Sequence, residues 1–585
     1  MLNRSASLVG LSLLGTLLSS CSMMPVQSVA AGEMSVDPAA RCAALGSAMA
    51  GNWPDPTTRI ISARFQPAGT QAASAPAGTF GPPPPPLPGH CEVIGMLQER
   101  TGVDSQKYAI RFHLRLPQAW NHRFFMQGGG GTNGELGDAI GMLGEAARPA
   151  LLQGYAVLSQ DSGHDNATNS DTMKGGAAAF GLDPQARANY GGASLPPTVA
   201  AAKALVAAFY GAGPQHSYFV GCSKGGQEGM AAAQRYPDLF DGIVAAAPGF
   251  SLPRAAVSQA WDTQSFANVV RANGQPVTSA NLAASFSDAD LSLVGKAVIE
   301  ACDADDGIVD GIVGDHPRCT SAKILPRLKN ATCKGAKDAG CLSVAQIDAL
   351  VRTHEGVKNS HGKSLYAPFP WDAGWADMGW RIWKIGSPDG RIPPINIAMG
   401  APALGLIFTT PPTVPKPGLD GAIAYALAFD FNTDSQRIDE TGGNFVRSGW
   451  QDVSARSPDI SAFARRGGKI IVPHGVSDPV FSITDTINWW NEVDRLQHGR
   501  AAQTVRVYPI PGMAHCSGGP ATDSYDALSA IVAWVEKGEA PASLAAKAGP
   551  RSPWPGRKRP LCAYPAIARY DGKGDVNEAS SFICS

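Results

Sequence analysis

Gly221-Cys222-Ser223-Lys224-Gly225 sets a serine between glycines, with an apolar run, Tyr218-Phe219-Val220, before it and an Ala-rich, helix-compatible stretch, Gln227 to Arg235, after it. In that setting G-x-S-x-G reads as a nucleophile elbow: a strand ends, the chain turns sharply, and a hydroxyl is presented above the sheet before a helix begins. The glycines suit a turn too tight for side chains on either flank. Five residues of this kind also arise by chance, and a serine hydroxyl is a weak nucleophile without a base in hydrogen-bond reach. Two downstream segments supply partners. Lys469-Ile470-Ile471-Val472 reads as a buried strand and enters Pro473-His474-Gly475-Val476-Ser477-Asp478; Thr504 to Tyr508 alternates as a strand and enters Pro511-Gly512-Met513-Ala514-His515-Cys516. Asp478 and His515 thus each follow the carboxyl end of a strand, where open α/β sheets gather their ligands. The order Ser223, Asp478, His515 is the α/β-hydrolase order. A mere turn aspartate and loop histidine would not need to agree in this way. His474 is a rival base, but nothing after it would orient its ring toward Ser223.

The cysteines bear on the same geometry. Cys222 precedes the serine and Cys516 follows the histidine, so a hydrogen bond between Ser223 and His515 would bring the two sulfurs together. A disulfide needs Cα atoms within about 7 Å, and Cys222–Cys516 is expected to clamp nucleophile to base. Cys222 as the nucleophile is the competing reading; the serine's place at the elbow centre argues against it. Setting Cys21 aside from the 11 cysteines leaves an even number. The near-neighbour pairings are Cys302–Cys319, Cys333–Cys341, Cys562–Cys584 and Cys42–Cys91, although spacing alone does not fix connectivity. None has the paired C-x-x-C spacing of a zinc site.

Such cysteine usage fits an oxidising compartment, and the amino terminus agrees. Arg4 precedes an apolar stretch from Leu8 to Leu18, the pattern of a secretory signal and too short to span a bilayer. Leu18-Ser19-Ser20-Cys21 resembles the bacterial lipoprotein processing box, which would lipidate Cys21 and leave that anchor as the only membrane contact. Ordinary signal cleavage nearby is the alternative, giving a periplasmic or secreted protein. At 585 residues, 44% apolar and 17% charged, the chain can bury one large core or two smaller ones, and a net charge of −1 lacks the cationic field that nucleic-acid binding requires. The proline run from Gly81 to Gly89 reads as a stiff surface excursion.

Spacing implies an insertion. Ser223 and Asp478 are much farther apart than the roughly 60–100 residues that two βα units need. The expected organisation is a signal over 1–20, a linker over 21–40, an α/β-hydrolase core over 41–250 and 461–585, and an inserted lid domain over 251–460 above Ser223. Trp371, Trp375, Trp380 and Trp383 cluster within that insertion. They could wall an aromatic substrate; a lid that needs its own small core is the better account for most of them. For the oxyanion hole, one amide should be that of Lys224, after the nucleophile, and another should come from an upstream loop. Arg123-Phe124-Phe125-Met126 reads as a strand feeding Gln127-Gly128-Gly129-Gly130-Gly131, and Gly131 is preferred over Gly130. Finally, Cys302-Asp303-Ala304-Asp305-Asp306-Gly307-Ile308-Val309-Asp310-Gly311-Ile312 has the carboxylates and turn glycines that suit a hard cation. It is not an EF-hand, and an acidic surface turn is an equal reading of the spacing.

Gly-Cys-Ser-x-Gly-Gly, His-Gly-x-Ser-Asp and His-Cys-Ser-Gly-Gly-Pro resemble the motifs of the tannase and feruloyl esterase family. Shared stretches include Gly181 to Arg187, Phe286 to Leu291 and Pro565 to Tyr570, and the likeness covers nearly all of the mature chain. It implies the triad Ser223, Asp478 and His515, the Cys222–Cys516 clamp and the other four pairings. It also implies a structural Ca²⁺ in the lid, held by Asp303, Asp306 and Asp310 and by the carbonyls of Ile308 and Ile312, and it puts Trp383 and Phe481 beside the substrate's ring. The lid departs from the pattern. Where a close relative carries an arginine for a free carboxylate of the substrate, this chain offers Ile395 or Ile397. Arg391 is the nearest cation, and Met399 stands near an aromatic gate. Lys224 replaces an acidic residue and reads as a solvated lysine. The implied activity is hydrolysis of small aromatic esters by a monomer, with mono(2-hydroxyethyl) terephthalate first and feruloyl or galloyl esters second. A non-catalytic envelope binding protein on the same scaffold is the alternative from another class.

Overall fold

Nine strands build the central sheet of the computed structural model, which describes residues 37–71, 85–141 and 148–585. The expected signal, linker start and Cys21, and the first part of the proline run (81–84), lie outside those residues. In chain order the strands are β1 (Arg59–Gln66), β2 (His90–Thr101), β3 (Lys107–Pro117), β4 (Arg123–Gln127), β5 (Ala156–Gln160), β6 (His216–Cys222), β7 (Gly242–Ala246), β8 (Lys469–Gly475) and β9 (Val505–Ile510). Their order across the sheet is β1-β2-β3-β5-β4-β6-β7-β8-β9. From β5 to β9 all neighbours are parallel, with Phe125 opposite Tyr218 and Val220 opposite Val244; β1, β2 and β3 form an antiparallel edge.

The parallel strands read as continuous apolar runs because both faces are covered. One face packs against the helices Leu195–Tyr210, Lys224–Arg235 and Ile483–Leu496 through Phe219, Ile243, Ile470, Val472 and Trp489. The other packs Tyr218, Val244, Ile471 and Tyr508 against the helix Ala527–Lys537. β7 and β8 are neighbours in the sheet, so everything between Ala246 and Lys469 is an insertion leaving and re-entering at adjacent strands. Trp371, Trp375 and Trp380 follow one another there with centroids 4.9 and 5.2 Å apart, all nearly inaccessible, in an apolar cluster that this segment shares with Tyr108, Phe180, Tyr190 and Phe481. These three tryptophans are packing residues of that shared cluster. All five expected disulfides form: Cys42–Cys91, Cys222–Cys516, Cys302–Cys319, Cys333–Cys341 and Cys562–Cys584.

Candidate active site

β6 ends at Cys222, and Ser223 takes φ 63° and ψ −120° before the helix Lys224–Arg235 starts at the next residue. A β-carbon makes that region costly, of order 1–3 kcal/mol, and it persists only where the surroundings over-determine it. Here the Ser223 amide donates to the Ala246 carbonyl (3.1 Å), and its carbonyl accepts from the amides of Gln227 and Gly249, both at 3.0 Å. Close approach does the rest: a Cβ on Gly128 would lie 2.8 Å from the Gly225 Cα, and one on Gly225 would lie 2.7 Å from the Gly129 carbonyl oxygen. The glycine loop after β4 therefore rests on the elbow itself.

Asp478 follows β8 and is buried. One carboxylate oxygen accepts from the amides of Val480 and Phe481 (2.8 and 2.9 Å); the other lies 2.8 Å from His515 Nδ1. Burial opposes its charge, but His515, His474 and these donors outweigh it and hold the carboxyl below its ordinary range. The opposite ring nitrogen of His515, Nε2, is buried and has no hydrogen-bond partner. That nitrogen is the one a general base would offer to a hydroxyl. The Cys222–Cys516 bond, with Cα atoms 6.0 Å apart, ties the residue before Ser223 to the residue after His515. His474 is excluded as a free base, since its Nδ1 meets Thr486 Oγ1 and its Nε2 meets the Phe481 carbonyl, each at 3.0 Å.

Two aromatic rings stand edge-on to His515: Trp383, from the insertion, at a centroid distance of 5.3 Å, and Phe481 at 5.3 Å. Trp383 is thus the one tryptophan of the four that reaches the site. Gly131 has φ +54°, its carbonyl accepts from the Tyr190 hydroxyl (3.1 Å), and Met399 Sδ lies 3.4 Å from where its Cβ would be. The Lys224 amide is the first of its helix, where no intrahelical carbonyl precedes it.

Two expectations need correction. Arg391 does not join this cluster: its side chain is 86% exposed and faces Asp389 at 3.3 Å on a surface loop. Lys224 is not solvated. Its side chain is 1% exposed, with Nζ 3.0 Å from Glu228 Oε1 and 4.6 Å from the centre of the Tyr190 ring. Sequence reasoning passed over Glu228, although its place one helical turn after Lys224 is a legible signal for an ion pair. It also passed over Asp372, a buried carboxylate of the insertion that accepts from Ser477 Oγ (2.5 Å) and the Gly512 amide (3.0 Å). These donors belong to the loops carrying Asp478 and His515, and only the fold brings them to Asp372.

The acidic loop of the insertion curls on itself. Asp303 accepts from the amides of Asp310 and Gly311, Asp306 from those of Ile308 and Gly314, and Asp310 from that of Ile312. Burial, with Asp310 and Asp303 nearby, pushes the Asp306 carboxyl up to about 7. Arg559 pairs with the second oxygen of Asp310. Among the described residues no three acidic, histidine or cysteine side chains converge as a formed metal centre. The donor chemistry still fits a hard cation, because buried carboxylates that repel one another gain from a positive charge between them.

The model of the family described as tannase and feruloyl esterase matches residues 91–585. The chain is 43% identical over 558 residues to the mono(2-hydroxyethyl) terephthalate hydrolase of Piscinibacter sakaiensis, covering 91% of this chain and 89% of that one. It is 28% identical to a probable feruloyl esterase of Arthroderma benhamiae, over 84% of this chain and 85% of the relative. Among solved structures, feruloyl esterase B from Aspergillus oryzae superposes with a TM-score of 0.70 at 22% identity, covering 94% of this chain and all of that one, a likeness of fold. The chain belongs to the tannase and feruloyl esterase family, a family of carboxylic ester hydrolases.

Proposed function

We propose that Ser223, His515 and Asp478 hydrolyse esters of aromatic carboxylic acids, with mono(2-hydroxyethyl) terephthalate as first substrate, giving terephthalate and ethylene glycol. The observation carrying this reading is an imidazole fixed by a buried carboxylate on Nδ1, unpartnered on Nε2, stitched to the nucleophile's neighbour and flanked by two aromatic edges. His515 Nε2 takes the proton as Ser223 Oγ attacks the ester carbonyl, and Asp478 orients and charge-stabilises the ring. Amides of Lys224 and Gly131 hold the oxyanion. The alcohol leaves with the proton from His515, and water, deprotonated by the same nitrogen, releases the acid. Trp383 and Phe481 are read as the walls for the substrate's ring.

Arg391 favours a second reading. Turned to Asp389 and solvent, it is no partner for a free carboxylate, so neutral feruloyl or galloyl esters are the alternative substrates. Ca²⁺ is read as a structural ion of the insertion, held by Asp303, Asp306, Ile308, Asp310 and Ile312, outside the reaction. Five disulfides support an exported protein, and the lipid anchor at Cys21 belongs to the same proposal. Turnover of the terephthalate monoester, methyl ferulate and methyl gallate by purified protein tests the choice. The monoester should give the largest kcat/KM, and Ser223→Ala should remove all three activities. No reaction with the monoester beside brisk reaction with a phenolic ester overturns the first substrate; activity surviving Ser223→Ala overturns the mechanism.

A further inference from the structure

Beneath the glycine loop lies a buried polar cluster that the triad chemistry leaves unexplained. Glu228, 1% exposed, sits one turn into the helix that begins at Lys224. Its Oε2 accepts from the Gly129 amide at 3.0 Å. Its Oε1 accepts from Lys224 Nζ (3.0 Å), Asn133 Nδ2 (2.8 Å) and Ser162 Oγ (3.1 Å). Gly129 stands two residues before Gly131, and Asn133 two residues after it. One carboxylate therefore grips both sides of the loop that offers the Gly131 amide, and through an ammonium it grips the residue that offers the other amide. Tyr190 closes the frame, lying beneath the Lys224 ammonium while its hydroxyl holds the Gly131 carbonyl.

We propose that Glu228 is a positioning residue that sets the separation of the two oxyanion-hole amides, with the buried Lys224 ammonium as its anchor; this rests on the serine-esterase reading above. Stability alone is a poor account of the pair. Buried ion pairs often contribute nothing over apolar residues of the same shape, yet this one spends both carboxylate oxygens on the two arms of a single gap. An oxyanion hole acts because its donors are fixed before charge develops, so loosening one arm should weaken transition-state binding and leave ground-state binding of the ester largely intact.

Glu228→Gln makes the test sharp. The amide keeps one acceptor, and Lys224, Asn133 and Ser162 all draw it to their side. The NH₂ group is then left against the Gly129 N–H, donor facing donor. Glu228→Asp keeps the charge but retreats by one methylene. Removal of one oxyanion donor costs about 10²–10³ in kcat. Per active site titrated with a fluorophosphonate, Glu228→Gln should lose about 100-fold in kcat with KM changed less than about threefold, and Glu228→Asp should recover part of the loss. Glu536→Gln serves as the structural control. That carboxylate bonds Arg123 and Tyr218 at the amino ends of β4 and β6, away from the site, and its loss should lower Tm with kcat per site retained. A Glu228→Gln enzyme with normal kcat per titrated site, or one whose loss lies wholly in KM, overturns the inference while Ser223→Ala is inactive. If Ser223→Ala keeps its activity, the serine-esterase reading has failed instead.

Discussion

Removing the Cys222–Cys516 clamp should injure stability and catalysis separately, and both effects can be sized. The bond closes a separation of 294 residues. In the chain-entropy model such a loop is worth about 6 kcal/mol at 25 °C as an upper figure, against about 3 kcal/mol for the short loops closed by Cys302–Cys319 and Cys333–Cys341. An unfolding entropy of about 2.1 cal/mol/K per residue over the folded unit Pro38–Ser585 makes the larger figure a fall in Tm of about 5 °C. Catalysis is exposed for a different reason. Cys516, one half of the bond, carries φ +64°, and Ser223, next to the other half, φ +63°, both non-glycine residues in the left-handed region. Left-handed backbone costs a non-glycine residue about 1–2 kcal/mol. Without the clamp that strain favours relaxation of the Cys516 peptide, and His515 moves with it. A displacement of about 1 Å can cost about 100-fold in rate. The Cys222→Ser, Cys516→Ser double variant, which creates no new free thiol, should therefore lose about 5 °C in a thermal melt and about 10- to 100-fold in kcat toward a p-nitrophenyl ester. A double variant that melts lower but turns over at the wild-type rate refutes the positioning argument. One that melts unchanged refutes the entropy argument.

Asp478→Asn preserves the shape of the acid but presents His515 Nδ1 with the wrong partner, and kcat should drop by about 10⁴ with the fold intact by circular dichroism. His90 titrates against stability: burial, then the Arg115 guanidinium bonded to its ring, lowers its pKa to about 4. Because the folded state refuses a proton that the unfolded state accepts below about 6.5, stability should fall by up to about 1.4 kcal/mol per pH unit as pH drops from about 6.5 toward 4. His90→Gln should flatten that part of a Tm-against-pH curve, and an unaltered slope defeats the assignment. If the acidic loop of the insertion holds a cation, a chelator should lower Tm and added calcium restore it, whereas Asp303→Asn should show no response to either. A chelator without effect on the wild type removes the ion from the account.

The parts of the site that were legible in the sequence are those whose signals are local. An apolar strand, a tight turn and the residue just beyond it fall within about ten consecutive positions, so Ser223, Asp478 and His515 could each be placed at the carboxyl end of a strand before any fold was known. The two cysteines next to the serine and the histidine carried the long-range information, because a covalent bond needs only two positions to be recognised. Lys224 went astray because an exposed lysine is the usual case; the cost of burying it is offset by a carboxylate and by the Tyr190 face, the latter arriving from a distant segment. Arg391 went astray because proximity along the chain says little in an irregular insertion, where one turn at Ser387 to Ile392 sends the guanidinium outward.

The insertion also has a role that its position between β7 and β8 does not suggest. A lid that merely covered the site would touch the catalytic loops with apolar side chains and lift away at small cost. This one reaches in with Asp372, wholly buried, whose carboxylate binds the Ser477 hydroxyl and the Gly512 amide at once. Ser477 adjoins the acid, and Gly512 lies in the loop that leads to His515. The backbone comes equally close: a Cβ on Gly374 would fall 2.4 Å from Ser477 Oγ and 2.5 Å from the Gly512 carbonyl. Breaking such contacts would take two donors from a buried carboxylate and leave it the Gly374 amide, a penalty of a few kcal/mol. The acid and base loops are therefore held in register from above by the insertion and from below by the sheet. On the proposed triad the insertion belongs to the catalytic frame: a core stripped of it would keep Ser223, Asp478 and His515 while losing the support that aligns the last two.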